Sequence, residues 1–429
     1  MVLVNKTNVE ASAPGAGLHY GWIVVAGGFL TQVILLICLQ TLPIVLPDIE
    51  KTLGIAHAAA GTIVSVFGLC YAGFSFFWGF MSDKIGARNA ISLAGLIASV
   101  MVFTFGLAAK SLGTAIILYA LVGFGCAGIY SATIPKLIGA WFHPSKRGRA
   151  MSLITPGGVL TGATLGIVVP KIATAYGWRA AFNILGIVAI IATIVIFAII
   201  RNRPEEKGLT PVGAPPGAVE GKNRENTGNK AAGGASFVSV LKMGITWHLG
   251  IMYIFWQLGY MACTAFLAAS VRSVGFNPAI AGFGVTIYNL LQLVGQQIWG
   301  PLSDRWERKY VIAVSSLWWG VFALGFMYTL GLKGLNGIYF MIALMGIGIG
   351  NVPVLLATFS DYYPAEIRGS GTGVISTLAT VGRVVGPLAA GLIADATHSL
   401  GSAFIFASAM MIVAALIALT LPPLKTKRA

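Results

Sequence analysis

The sequence predicts an all-α membrane protein with twelve transmembrane helices in two pseudo-symmetric six-helix bundles, and three observations predict it. The 429-residue chain is 57% hydrophobic and 10% charged, with a mean hydropathy of +0.84. Soluble domains carry about 25% charged residues, so a chain this apolar needs lipid as its solvent. Apolar stretches recur along it, each long enough to cross the roughly 30 Å of a bilayer's hydrocarbon. Motifs of the first half return in the second half at one fixed offset.

The spans are read at 22–46, 59–80, 89–109, 114–140, 149–173, 178–200, 246–270, 279–301, 310–331, 336–360, 370–395 and 400–421. Period-2 alternation is absent, and in hydrocarbon each segment must satisfy its own backbone N–H and C=O groups, so the spans are helices. The first stretch is followed by no small-residue cleavage site and reads as a retained span. The organisation is a tail at 1–21, a six-helix bundle at 22–201, a linker at 202–245, a second bundle at 246–421 and a tail at 422–429. The linker, "NRPEEKGLTPVGAPPGAVEGKNRENTGNKAAGGA" in its first part, is rich in Gly, Pro, Asn and charge and reads as a flexible connector.

Charge sets the orientation. With the N-terminus in the cytoplasm, twenty of the 28 Lys and Arg fall in cytoplasmic segments and six in outer loops; Lys136 and Arg383 lie within spans. This positive-inside bias puts both termini in the cytoplasm of a cell (inner) membrane protein. The net charge of +15 is then a matter of topology and anionic lipid, with no nucleic-acid partner. Cys38, Cys70, Cys126 and Cys263 fall inside apolar spans without metal-ligand spacing and read as small buried hydrophobes. No nucleophile–base pair, metal spacing or phosphate loop is present, so neither an enzyme nor a cofactor is expected.

The repeat is the most specific signal. "GFMSDKIGAR", Gly79 to Arg88, follows the second span, and "GPLSDRWERK", Gly300 to Lys309, follows the eighth. Asp83 matches Asp304, Lys84 matches Arg305 and Arg88 matches Lys309, each 221 residues apart. The same offset relates Arg147-Gly148 to Arg368-Gly369, which precede the fifth and eleventh spans. Parallel repeats of this kind belong to two-bundle transporters. A Gly lets neighbouring helices approach, and an Asp at a helix end can pair with a cation across the bundle interface. The alternative is that these are ordinary positive-inside loop charges.

On these motifs the chain resembles the major facilitator superfamily, whose best-known signature is G-x-x-x-D-[RK]-x-G-x-[RK] between the second and third helices. The resemblance spans residues 20 to 421 and implies the major facilitator fold. It also implies alternating access, with a gate in which Asp83, Arg88, Asp304, Arg305, Arg147 and Arg368 stabilise the outward-facing state. "HYGWIVV" (His19 to Val25), "WFHPSKRGRA" (Trp141 to Ala150) and "GWRAAF" (Gly177 to Phe182) resemble two branches. One is the monocarboxylate and oxalate–formate exchanger-like branch; the other is the organic anion–cation symporter branch. Both imply a small organic acid anion as cargo. One departure stands out: "YALVGFG" carries Tyr119 where many proton-coupled members have an arginine.

Arg383, in "TLATVGRVVGPLAAG", lies about 14 residues into the eleventh span, roughly 21 Å at 1.5 Å per residue. An Arg near the midplane costs at least ~2.5–3.5 kcal/mol and must face a cavity. Thr372, Ser376, Thr380 and Arg383 recur at helical spacing as one polar stripe. A guanidinium presents a planar donor fork that fits a carboxylate, so Arg383 reads as a carboxylate clamp. The alternative is a structural Arg on carbonyls freed near Pro387. Lys136, on the fourth span, binds a second carboxylate or snorkels to the headgroups.

Gln32, Tyr71, Tyr130 and Gln257 near mid-span, Asn289 and Gln292 on the eighth span and Asn351 on the tenth complete a polar set. Singly such residues often join helices; together they describe a central substrate chamber. No Asp or Glu lies in the middle of any span, and His248 is the one candidate proton relay. Buried cations without a buried counter-anion make the substrate itself the counter-ion. The expected function is a secondary active or facilitative transporter of a mono- or dicarboxylate, acting as a monomer. The alternatives are a proton-coupled symporter of the same cargo and, further off, a multidrug/proton antiporter. Against the last, "TPGGVLTGATLG" lacks the G-P-x-x-G-G pattern of many exporters.

Overall fold

The computed structural model describes residues 19–130, 133–213, 239–364 and 367–423, without the side chains of residues 144, 145, 360 and 368–370. The gating expectation for Arg368 therefore lies outside the described side chains. Apolar runs become helices because only a helix closes its own hydrogen bonds in lipid. The first bundle contains α1 (Tyr20–Leu53), α2 (His57–Gly73), α3 (Ser75–Ile85), α4 (Ala87–Ala108), α5 (Leu112–Ile129), α6 (Ile134–Trp141), α7 (Pro144–Ile154), α8 (Pro156–Tyr176) and α9 (Trp178–Ile199). The second contains α10 (Gly244–Ser273), α11 (Pro278–Arg305), α12 (Arg308–Leu332), α13 (Leu335–Ile349), α14 (Val352–Asp361), α15 (Arg368–Thr397) and α16 (Gly401–Leu419). Among the described residues eleven helical stretches are long and apolar enough to cross a membrane, and twelve when α2 and α3 are taken as one bent span.

Four spans read from the sequence as continuous are broken. Three breaks have the same cause. Pro135 opens α6, Pro156 opens α8 and Pro353 opens α14, each at the first or second position. Proline lacks the N–H that would continue the preceding ladder but fits the first turn of a new helix. The second span bends by 43° between α2 and α3, with Phe74 at the joint.

In the first bundle α4 packs on α5 and α9, α2 on α5, and α1 on α8 and α9. In the second, α10 packs on α15 and α16, and α12 on α13 and α16. The seam between bundles is made by α2 with α15, α8 with α11 and α1 with α10. Backbones touch there. A Cβ on Gly282 of α11 would lie 2.0 Å from the carbonyl oxygen of Gly166 on α8, and one on Gly61 of α2 would lie 2.5 Å from that of Pro387 on α15. Only glycine permits approach this close.

The internal repeat recurs in three dimensions. The Trp78 indole donates to the Phe124 carbonyl at 2.8 Å, and Trp299, 221 positions later, donates to the Ile347 carbonyl at 2.7 Å. Residues at the start of the expected linker pack on the first bundle. Asn202 Oδ1 accepts from the Arg88 N–H at 2.8 Å, and Val212 exchanges backbone bonds with His143 and Trp141. Positions 214–238 lie outside the described residues.

The seam contact gives a stability test. Gly282→Ala places a methyl against the Gly166 carbonyl, and overpacking of this kind costs about 1–3 kcal/mol. Gly300→Ala meets open space. In thermal unfolding of the purified protein the first substitution is expected to lower the transition temperature and the second to leave it in place.

Candidate functional site

Arg383 is the sixteenth of the thirty residues of α15, and its backbone lies against Gly68 of α2. The Gln257 amide, turned so that its oxygen faces the guanidinium, accepts from Nε at 2.9 Å and from Nη2 at 3.0 Å. The same oxygen accepts from the Tyr253 hydroxyl at 3.2 Å. The Tyr71 ring lies 5.8 Å from the guanidinium carbon, within the range of a cation–π contact. Arg383, Gln257 and Tyr71 thus converge from three helices of the seam. Among the described residues no carboxylate lies within ion-pair distance of Arg383. Nor does its guanidinium bond to a backbone carbonyl there, although Pro387 frees the Arg383 carbonyl one turn on. Trp256 is buried and stacks on Tyr260 at 5.2 Å. Thr380 stands three residues before Arg383, its hydroxyl 3.5 Å from the Ser376 carbonyl.

The other polar residues separate into groups. Gln40, which the sequence reading did not single out, reaches across the seam and donates to Asn289 at 3.3 Å. Both line a cavity with Tyr260 and Tyr288, and the Gln40 Oε1 oxygen is buried without a partner. Gln292 is half-buried three residues further along α11. The Tyr130 hydroxyl lies within reach of the Thr155 and Gln32 side chains, inside the first bundle. Asn351 is a correction to the chamber: it is fully buried and donates to Ser315 at 2.7 Å, so it joins two helices of the second bundle. Tyr119 is likewise structural, its hydroxyl bonded to the Cys38 carbonyl at 2.5 Å. His248 bonds to Thr420 at 2.9 Å and the Ile417 carbonyl at 3.2 Å, which ties α10 to the end of α16.

Lys136 is a second correction. Its ammonium pairs with the Asp83 carboxylate and donates to the Ser82 carbonyl at 3.0 Å, so it stands outside the chamber. Lys136 lies in the first turn of α6, close to Asp83 near the end of α3. Asp83 therefore has its cation within its own bundle, not across the interface. Arg88 donates to the Phe197 carbonyl at 3.0 Å, and its counterpart Lys309 donates to the Leu421 carbonyl at 3.1 Å. Each cation covers the chain end of its bundle's last span, where helix carbonyls lack partners. Arg147 does the same for α6, donating to the Gly139 carbonyl at 2.7 Å and the Phe142 carbonyl at 3.0 Å. Asp304 and Arg305 are exposed and have no ion pair among the described residues. In the second bundle Arg308 pairs with Asp361 instead. Burial, with Glu307 and Asp361 alongside, pushes the adjacent Tyr362 phenol up to about 12, so it remains a donor to the Pro422 carbonyl at 2.7 Å.

The opposite face carries the bonds that cross the seam. Arg272 of α10 holds Asp48 of α1 in a two-pronged pair at 2.6 and 2.7 Å. Asp395 of α15 accepts from the backbone N–H groups of His57 at 3.0 Å and Ala58 at 2.8 Å. The residue before α2 is Ala56, which supplies no side-chain cap. A carboxylate from the other bundle therefore caps α2 and meets the positive end of its dipole. The His57 ring sits between Glu50, 2.9 Å away, and Phe266 of α10. Asp48 and Asp395 stand at span ends, and nothing in the sequence marks their partners, 224 and 337–338 positions away. Together with Thr286, which donates to the Ala163 carbonyl at 2.7 Å, these bonds all lie in the half away from Asp83 and Asp304.

A family profile described as Major Facilitator Superfamily matches residues 28–272 and 249–429. The chain is 25% identical over 405 residues to the "Hexuronate transporter" of Bacillus subtilis (strain 168), covering 90% of this chain and 91% of that one. It is 22% identical over 413 residues to the "Probable galactarate/D-glucarate transporter GarP" of Escherichia coli (strain K12), covering 91% and 92%. A crystal structure of a bacterial homologue of the human lysosomal transporter Spinster, inward-facing and unoccupied, superposes with a TM-score of 0.71 at 16% identity, covering 94% and 95%.

The bonds that Asp48 and Asp395 make across the seam give an accessibility test of the face that carries them. Asp395→Ala combined with Arg272→Gln removes charge-assisted bonds worth about 1.5–3 kcal/mol each. In a background free of native cysteines, a reporter cysteine at Thr264 should label from that face about tenfold faster. Unchanged labelling would show that the two carboxylates do not hold the face shut.

Proposed function

The chain belongs to the Major Facilitator Superfamily, and from that premise we propose that it carries a small organic acid anion by alternating access. The observation that carries the proposal is the guanidinium of Arg383: it lies mid-span, in the seam, with Gln257 and Tyr71 around it and no carboxylate partner among the described residues. A carboxylate of the cargo supplies the missing charge and takes two parallel N–H donors of the fork. Mono- and dicarboxylates fit, and the hexuronates and galactarate or glucarate named for the relatives are the first cargoes to test. A cationic drug would be repelled by the same group, which disfavours a multidrug exporter.

The positive-inside bias assigns the face bearing Asp83 and Asp304 to the cytoplasm, in the inner membrane, with both termini on that side. The clasped face is then the outer one, and the conformation is inward-facing. Transport follows when the bundles rock about the glycine contacts of the seam, break the outer clasp and close the basic face. Asp83–Lys136 and Arg308–Asp361 hold each bundle's own half-helices rigid during that motion. With no carboxylate in the middle of a span, exchange or facilitated flux is favoured over proton symport. Both bundles and the cavity lie within one chain, which is enough for a functional monomer.

The test is a substitution pair. Arg383→Gln removes a charge-assisted fork worth about 1.5–3 kcal/mol, so the affinity for a transported acid should fall about 10- to 100-fold. Arg383→Lys keeps the charge without the fork and should be impaired nearly as much. Both variants should fold normally and lose the thermal stabilisation that the acid gives the wild type. Normal binding by well-folded Arg383→Gln would refute the clamp.

A further inference from the structure

A second unpaired guanidinium stands at the basic end of the molecule. Arg149 of α7 has no hydrogen bond or ion pair from its guanidinium among the described residues; its contact is the ring of Trp22 on α1, 5.7 Å away. The two flank a cavity of 820 Å³ between α1 and α7, whose remaining lining is apolar and includes Phe29, Leu30 and Leu153. From Trp22 to Leu30 the groove follows α1 for about 12 Å at 1.5 Å per residue. Leu153 is 49% exposed and continues a stripe with Leu160 and Ile167, 44% and 39% exposed, along the fifth span. Such a stripe of exposed aliphatic side chains on a membrane helix faces lipid. The groove therefore opens sideways toward the bilayer at its basic end.

We propose that this groove binds one anionic phospholipid from the leaflet on the basic face. Arg149 donates to phosphate oxygens, as guanidinium forks do. Trp22 sits at headgroup depth, where indoles are favoured, and one acyl chain lies along Phe29, Leu30 and Leu153. A small hydrophilic acid would satisfy Arg149 but gain nothing from the apolar floor, which is why a lipid fits better than cargo. The inference rests on this groove alone and does not depend on the role of Arg383.

The experiment titrates the purified full chain in neutral detergent with phosphatidylglycerol or phosphatidylcholine and reads binding by native mass spectrometry and by thermal shift. Phosphatidylglycerol should bind and stabilise the wild type, and phosphatidylcholine should do so far more weakly. Arg149→Gln should weaken phosphatidylglycerol about tenfold. Lys207→Gln removes a cation from the same face outside the groove and should leave binding unchanged. Leu153→Asn should weaken phosphatidylglycerol severalfold through the acyl half of the site and provides a second reading should Arg149→Gln fold poorly. Equal affinity in wild type, Arg149→Gln and Leu153→Asn would overturn the proposal. So would equal loss in Lys207→Gln, which would mean diffuse surface attraction. Equal stabilisation by millimolar inorganic phosphate, or displacement of the lipid by a sugar acid, would make it a general anion or cargo site and also overturn it.

Discussion

A guanidinium held in the middle of a membrane span, without a counter-charge among the described residues, is the constraint on which the rest of this structure depends. Lipid cannot solvate it, so Arg383 must face the seam between bundles. One amide oxygen from Gln257 and the face of Tyr71 satisfy part of its donor set; neither supplies a negative charge. Neutral partners of this kind hold the fork in a fixed orientation and leave the charge itself open to a visitor. On the proposed reading this separates a structural arginine, which the fold neutralises, from a binding arginine, which it positions.

Among the described residues the charged pairs lie at the ends of the helices. Asp48–Arg272 and the Asp395 cap on α2 act between bundles on one face. Asp83–Lys136 and Arg308–Asp361 act within bundles on the other. The asymmetry has a mechanical meaning. Under the proposed alternating access, bonds across the seam would set which face is shut, and bonds within a bundle would keep each half rigid while it moves. The glycine contacts between them bring backbones together without side chains to interlock, which suits a surface that must rock.

The fold was legible because its signals are local: apolar run length, positive-inside charge and a motif repeated at a constant offset. Arg383, Gln257 and Tyr71 were legible for a related reason, since a polar group at mid-span has few permissible places to face. Lys136 was misplaced because its pairing with Asp83, 53 positions earlier, leaves no mark in the sequence. Asn351 looked like a chamber residue until the fold showed Ser315 beside it. The bundle-crossing clasp could not be read at all, because an acid at a span end carries no mark of a partner more than two hundred residues away. The signature motif itself was only half informative. It located a loop correctly, but its last cation covers a helix end in both bundles, a role that sequence spacing does not reveal.

The central claim is that the cargo's carboxylate completes the charge of Arg383, and a chemical double-mutant cycle tests it most directly. Binding of a transported sugar acid is compared with binding of its neutral primary amide, in wild type and in Arg383→Gln. The account predicts that the wild type prefers the acid by about 10- to 100-fold and that the preference collapses in the variant. The same preference in both proteins would contradict it, since the carboxylate would then be recognised elsewhere.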